Sequence, residues 1–186
     1  HQHCVERHGG LLHRAAGFSL ATRARRILAG YGKGEQPLPV FKMPHLRGWA
    51  VAGRHAYLPA IGRHEVLVVD TDSWAEVGRI AVAGQPVFVI ARPDGRQVWV
   101  NFAVPDYDRV QVIDTLTRQI VKTLEPGKAV LHMEFTPRGE AVWISSRDAN
   151  RVSVVDTTSF ATTATLPRPS RFNPITFITT IAMSSS

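Results

Sequence analysis

The sequence predicts an all-β protein, a partial β-propeller of about three four-stranded antiparallel blades. Two landmarks recur along the chain with the same period. Strands that end in Asp-Thr place their aspartates 44 and then 42 residues apart, at Asp70, Asp114 and Asp156. Glycines that precede an aromatic residue by four positions lie 42 and then 44 residues apart, at Gly53, Gly95 and Gly139. A period of forty-odd residues made of short strands is typical of a four-stranded propeller blade.

The middle unit shows the four strands of one blade most clearly. Val87–Ala91 is a β-branched and aromatic run that ends at an Arg-Pro-Asp-Gly turn signal. Three further strands are predicted at Gln97–Phe102, Val110–Asp114 and Gln119–Leu124. These strands fill the unit and leave almost no room for a helix. The same period predicts blades at about residues 45–83, 84–127 and 128–166.

Three blades are too few to close a propeller, which needs roughly four to eight. Each sheet has apolar residues on both faces and depends on its neighbours to cover them. We therefore expect a fragment of a larger ring, with an open face at each end of the repeat body. Residues 25–166 form this partial propeller, whereas residues 1–24 and 167–186 leave the pattern and are predicted to be atypical segments.

Composition and charge exclude several classes of protein. The 186-residue chain has a net charge of +7, but residues 41–166 carry fourteen basic and thirteen acidic side chains. A nucleic-acid-binding protein needs a basic stripe on its folded body, so no nucleic-acid partner is expected. The longest run without charge, Phe172–Ser186, is too short and polar to span a bilayer. A single cysteine, Cys4, cannot form an internal disulfide.

Particular strings within the repeat resemble a known family. The strings Gly84-Gln-Pro86, Pro93-Asp-Gly95 and Val98-Trp-Val-Asn101 resemble YVTN-type repeats and the related cytochrome d1 heme propellers. Longer strings, among them Pro37–Trp49 and Gly127–Gly139, resemble the NirF family of heme d1 biosynthesis proteins from denitrification gene clusters. That family has an eight-bladed ring, so the resemblance implies three blades and the end of a fourth.

The resemblance also implies a function and a location. Such a protein holds heme d1 or its late precursor, an iron tetrapyrrole, over the central face of the ring during maturation of the nitrite reductase cofactor. The periplasm is the implied compartment, and nitrite reductase or other heme d1 assembly proteins are the implied partners. The residues do not decide between catalysis on the precursor and carriage, and no catalytic residue is assigned.

A short string before blade one supplies the first candidate site residues. His45-Leu-Arg-Gly-Trp49 resembles the His-x-x-Gly-Trp string of cytochrome d1-type nitrite reductases. This resemblance implies that His45 faces the iron or a meso edge, as the candidate metal ligand. It also implies that Arg47 pairs with a ligand carboxylate and that Trp49 forms a wall.

Gln85 is the next candidate, because the reductases carry a second distal histidine where this chain has Gly84-Gln85-Pro86. Loss of that histidine favours an assembly protein over the first alternative, the heme d1 domain of a cytochrome cd1-type nitrite reductase. The second alternative is a propeller without cofactor that acts as a protein-binding scaffold.

His132 is the last candidate for contact with the cofactor. Strand alternation places His132, Glu134 and Thr136 on one face, and Met133 and Phe135 on the other. A buried core histidine is the competing interpretation. The other conspicuous polar residues are predicted to be structural: His55 and His64 by their positions in the repeat, and the repeated aspartates because a carboxylate after a strand accepts backbone N–H bonds.

Overall fold

The computed structural model describes residues 2–5, 15–18, 25–28, 48–60, 62–103 and 105–167. The strands β1 (Gln2–Val5), β2 (Ala15–Phe18) and β3 (Arg25–Leu28) form an antiparallel sheet in chain order. The predicted atypical segments extend beyond the described residues, and that division of the chain stays a prediction. In the part of the chain that the structure describes, no helical segment has the length and apolar character needed to cross a membrane.

Three four-stranded antiparallel sheets follow, and in each the strands pair in chain order. Blade one contains β4 (Ala50–Ala52), β5 (His55–Ala60), β6 (Glu65–Asp70) and β7 (Glu76–Ala81). Blade two contains β8 (Pro86–Ala91), β9 (Gln97–Phe102), β10 (Val110–Asp114) and β11 (Ile120–Leu124). Blade three contains β12 (Val130–Phe135), β13 (Ala141–Ser146), β14 (Arg151–Asp156) and β15 (Thr162–Pro167). The predicted fold class is confirmed, and the strands of blade two begin and end within one residue of the predicted bounds.

The first strand of each blade is the inner strand. The strand β8 contacts β4 and β5 on one side and β12 on the other, so the inner strands of consecutive blades are neighbours. The fourth strands, β7, β11 and β15, lie at the outer edge and are mostly exposed. Val121 on β11 is exposed, as an edge position predicts. The inner strands therefore carry the side chains that can share one site.

Apolar side chains fill the two spaces between consecutive blades. Tyr57 and Val68 of blade one pack with Val98 and Ile113 of blade two in the first cluster. Trp99 anchors the second cluster, between blades two and three, and is fully buried. Its ring lies edge-on to Phe135, with centroids 5.9 Å apart, and tilted against Phe160, at 6.1 Å. Mutual cover of this kind is what a sheet with two apolar faces requires.

The two end faces of the repeat body differ. On the outer face of blade one, Leu58, Leu67 and Val69 are buried, and the indoles of Trp49 and Trp74 pack against them. Two large aromatic side chains therefore contribute to the cover of this face, and the expectation of open ends stays a prediction. Trp143 and Val154, a cross-strand pair on the outer face of blade three, are partly exposed.

The repeated aspartates close the turn between the third and fourth strands. In blade one, Asp70 Oδ1 accepts hydrogen bonds from the backbone N–H groups of Asp72 (3.0 Å) and Ser73 (2.8 Å) and from the Ser73 hydroxyl (3.0 Å). Asp114 and Asp156 accept the equivalent bonds in their own blades. The architectural role predicted for these carboxylates is confirmed.

Candidate functional site at the inner strands

Three of the five predicted site residues lie in the part of the chain that the structure describes. Trp49, Gln85 and His132 belong to it, whereas His45 and Arg47 lie outside the described residues. Assignment of His45 as the metal ligand therefore stays a prediction. Among the described residues, no group of three or more His, Cys, Asp or Glu side chains could hold a metal ion by itself.

Trp49 directly precedes the inner strand of blade one. Its indole packs against the apolar cluster on the outer face of that blade, and its role as a ligand wall stays a prediction. The preceding residue is tied to blade two, because the carbonyl of Gly48 accepts a hydrogen bond of 3.1 Å from the backbone N–H of Val89. The start of β4 is thereby fixed beside β8.

Gln85 directly precedes the inner strand of blade two and is buried. Its backbone carbonyl accepts a 2.9 Å hydrogen bond from Ala103, just past the end of β9, which closes this end of the hairpin. A carboxamide both donates and accepts hydrogen bonds, but it does not titrate. Gln85 can therefore orient a polar group of a ligand and cannot deliver a proton to it.

His132 lies on β12, just after a shift of register between Val130 and His132 that marks a β-bulge. Its side chain is 12% exposed, and Nε2 lies 3.4 Å from Glu134 Oε2. The buried Nε2 nevertheless makes no hydrogen bond in the described structure. The predicted alternation is observed, since Met133 and Phe135 pack instead in the core between blades two and three.

The inner strand β8 connects these residues. Its Phe88 ring lies 5.4 Å from the His132 ring, tilted by 55°, while the next residue, Val89, is bonded to Gly48. The backbone just before Trp49 and the ring of His132 therefore flank the same part of β8, and Gln85 lies three residues before Phe88. The blades thus bring a carboxamide and an imidazole to the same end of consecutive inner strands, while the indole of Trp49 lies on the outer face of blade one.

This set of side chains fits one edge of a tetrapyrrole. A bound macrocycle needs apolar walls, polar groups for its substituents and a nitrogen base near its iron or edge. Phe88 supplies an aromatic ring beside His132, and the buried Nε2 of His132, which makes no hydrogen bond, is a polar atom that a ligand would satisfy.

Two buried polar residues at the same end of the blades were missed by the sequence analysis. Asn101 on β9 donates from Nδ2 to the carbonyl of Val130 (2.9 Å), which joins blade two to blade three, while its Oδ1 is unpaired. Ser145 on β13 is fully buried, and its hydroxyl has no partner in the described structure. The sequence does contain a signal for them. The position two residues after the repeated aromatic residue is Pro59 in blade one, but it is polar in blades two and three, where it is Asn101 and Ser145.

Known relatives match the repeat body closely. Protein NirF of Stutzerimonas stutzeri is 61% identical over 131 residues, which are 70% of this chain and 34% of that protein. Protein NirF of Pseudomonas aeruginosa is 58% identical over 132 residues, 71% of this chain and 34% of its own length. The predicted resemblance to NirF proteins is confirmed. The chain spans about a third of the length of these relatives.

Two solved structures share the fold of this chain. The structure of dihydro-heme d1 dehydrogenase NirN in complex with DHE matches with a TM-score of 0.66 and 25% identity, over 84% of this chain and 33% of that one. Hydrazine synthase of Kuenenia stuttgartiensis matches with a TM-score of 0.61 and 23% identity, over 69% of this chain and 38% of that one, and shows the fold alone.

The family is shown by a match over most of the chain. Residues 14–175 match the sequence profile of the Cytochrome D1 heme domain, a range that includes all three blades and the described candidate residues. This chain therefore belongs to the cytochrome D1 heme domain family.

Proposed function

We propose that this chain is part of a β-propeller that holds heme d1, or its late precursor, during assembly of the heme d1 cofactor. The identity to NirF proteins and the fold shared with NirN, a protein solved with DHE bound, support this proposal. Because the chain covers only about a third of the NirF proteins, residues outside it complete the site in our account.

The observation that carries the proposal is the environment of His132. An imidazole that served only the core would have its ring nitrogens satisfied, because buried polar groups are almost always hydrogen-bonded. Nε2 is buried and makes no hydrogen bond, with the Glu134 carboxylate 3.4 Å away, beside the Phe88 ring and at the end of the blades that carries Gln85. A ligand placed over the inner strands would supply the missing partner.

Each candidate residue has a role in this proposal. His45 ligates the iron or faces a meso edge, and Arg47 pairs with a carboxylate of the macrocycle through its guanidinium group. Trp49 forms a wall, Gln85 hydrogen-bonds a ring substituent, and His132 contacts the edge of the macrocycle.

The cellular setting follows from the same family. We propose that the protein acts in the periplasm, and that nitrite reductase or other heme d1 assembly proteins receive the cofactor from it. Gln85 argues against a reductase heme domain, because a non-titrating carboxamide does not replace a proton-donating histidine beside bound nitrite.

A spectral titration tests the proposal. Heme d1 is added to the full-length propeller that contains this chain and the Soret band is recorded, with His132→Ala as the test variant and His55→Ala as its control. His55 begins β5 at the opposite end of blade one. We expect a Soret shift that is weakened by His132→Ala and kept by His55→Ala. Absence of a shift, or equal spectra for both variants and the unaltered chain, would contradict the proposal.

A further inference from the structure

We propose that Ser145, together with His132, forms a subsite for a carboxylate group of the tetrapyrrole. This inference rests on the proposed function and adds to it a residue to which the resemblance gives no role. It concerns the inner half of blade three, where β12 and β13 pair.

The two side chains are cross-strand neighbours. His132 on β12 is directly opposite Ser145 on β13. Side chains at such positions share one face of the sheet, with Cβ atoms about 4.5–5.5 Å apart. The Ser145 hydroxyl and His132 Nε2 are both buried, and both lack a hydrogen-bond partner in the described structure. Two unsatisfied polar atoms therefore lie side by side.

The repeat itself does not require a polar residue at this position. Blade one carries Pro59 there, a side chain that has no hydrogen-bonding group, and it is buried. Blade two carries Asn101, which uses its amide to bind Val130 of the next blade. Ser145 is the remaining member of this series, and its hydroxyl has no such structural bond.

The chemistry of the pair selects the ligand group. A serine hydroxyl donates one hydrogen bond, and an imidazole nitrogen that carries a proton donates another. Two adjacent donors match the two oxygens of a carboxylate, and hydrogen bonds to a charged group are the strong ones. Tetrapyrroles with acidic side chains offer such groups at their edge.

The test compares an acidic tetrapyrrole with its ester. Iron protoporphyrin IX and its dimethyl ester are titrated into the full-length propeller that contains this chain, into its Ser145→Ala variant and into its Ser146→Ala variant, and binding is followed at the Soret band. Ser146 is the matched control. Its hydroxyl is also buried and has no hydrogen-bond partner in the described structure. In the strand register, however, Ser146 is opposite Val130, and its side chain lies on the other face of β13. Thermal unfolding of each variant checks that all three are folded.

We expect Ser145→Ala to weaken binding of the acid by about tenfold or more and to leave binding of the ester unchanged. Ser146→Ala is expected to bind both forms like the unaltered chain. Equal losses for acid and ester, or equal effects of the two serine variants, would overturn the carboxylate subsite and leave the proposed function intact. An unaltered chain that binds neither form would contradict the proposed function itself.

Discussion

Asn101 shows how a single buried side chain joins two blades. Its amide crosses from β9 to the first residue of β12, in a bond of 2.9 Å between buried groups. Replacement by alanine leaves the Val130 carbonyl without this donor, and an unsatisfied buried group costs more than the bond itself contributes.

We therefore expect Asn101→Ala to lower the free energy of unfolding by about 1–3 kcal/mol. Urea unfolding of the variant measures this loss. Gln119→Ala, in the exposed turn before β11, is the control and should change stability little. Similar losses for the two variants would show that the bond between the blades adds nothing.

The repeated aspartates make stability depend on pH. Hydrogen bonds from the backbone and side chain of the following turn lower the pKa of Asp70, Asp114 and Asp156; Arg54 also lowers that of Asp70. Because these groups hold protons more weakly when folded, their contribution is present above the unfolded pKa of about 3.9 and is lost as pH falls below it.

Thermal unfolding between pH 6 and pH 3 tests this dependence, with the triple variant Asp70→Asn, Asp114→Asn, Asp156→Asn for comparison. The unaltered chain should have the higher melting temperature at pH 6, and the difference should shrink as pH approaches 3. A difference that stays constant over this range would contradict the role given to these carboxylates.

At the scale of elements, the recurring glycines explain how the turns of neighbouring blades stack. Gly139, in the turn between β12 and β13, has φ +77°, and a Cβ there would lie 2.8 Å from Pro93 Cδ in the corresponding turn of blade two. Arg92 of that turn also donates from Nε to the Gly139 carbonyl at 3.0 Å. The glycine that recurs in the sequence therefore marks, at Gly139, a close contact between the turns of neighbouring blades.

Gly139→Ala should destabilise the chain more than Gly53→Ala. Both glycines have positive φ, but a Cβ at Gly53 would have no atom within 4 Å. Gly53→Ala, the control, then measures the destabilisation that comes from positive φ alone, about 1–2 kcal/mol. Gly139→Ala should lose about 1–3 kcal/mol more, because its Cβ would also clash with the neighbouring turn. Chemical denaturation measures both, and equal losses would mean that the turns do not depend on close stacking.

At the scale of the whole molecule, the repeat makes the interior and the end of the blade stack directly comparable. Trp99 and Trp143 occupy the same position of the repeat. Trp99 is fully buried between blades two and three, whereas Trp143 is partly exposed on the outer face of blade three.

We expect Trp99→Ala to lower stability by about 3–5 kcal/mol, as loss of a large core side chain does. Trp143→Ala should cost clearly less, because fewer atoms surround it. Guanidinium unfolding of both variants gives the comparison. Equal losses would mean that the outer face of blade three is as well covered as the interface between blades.

The period of the sequence was enough to predict the blades, because residues such as Asp114 and Gly95 have the same structural role in every blade. Asp114 accepts the hydrogen bonds of a turn, and Gly95 adopts positive φ in another turn. It could not predict that Trp49 and Trp74 cover the outer face of blade one, since that contact joins residues far apart in the chain. Strand alternation predicted that His132 and Glu134 lie on one face. It could not predict that Ser145 lies opposite His132, or that His132 Nε2 has no hydrogen-bond partner, because both depend on the bulge and the register of β12.

The position of a bound iron tests the central claim most directly. Crystals of the full-length propeller that contains this chain, grown with heme d1, would show the iron by anomalous scattering. We predict a single iron over the ends of the inner strands β4, β8 and β12 that carry Trp49, Gln85 and His132. An iron beside the outer strands β7, β11 and β15, or at the opposite end of the blades near the aspartate turns, would contradict the account.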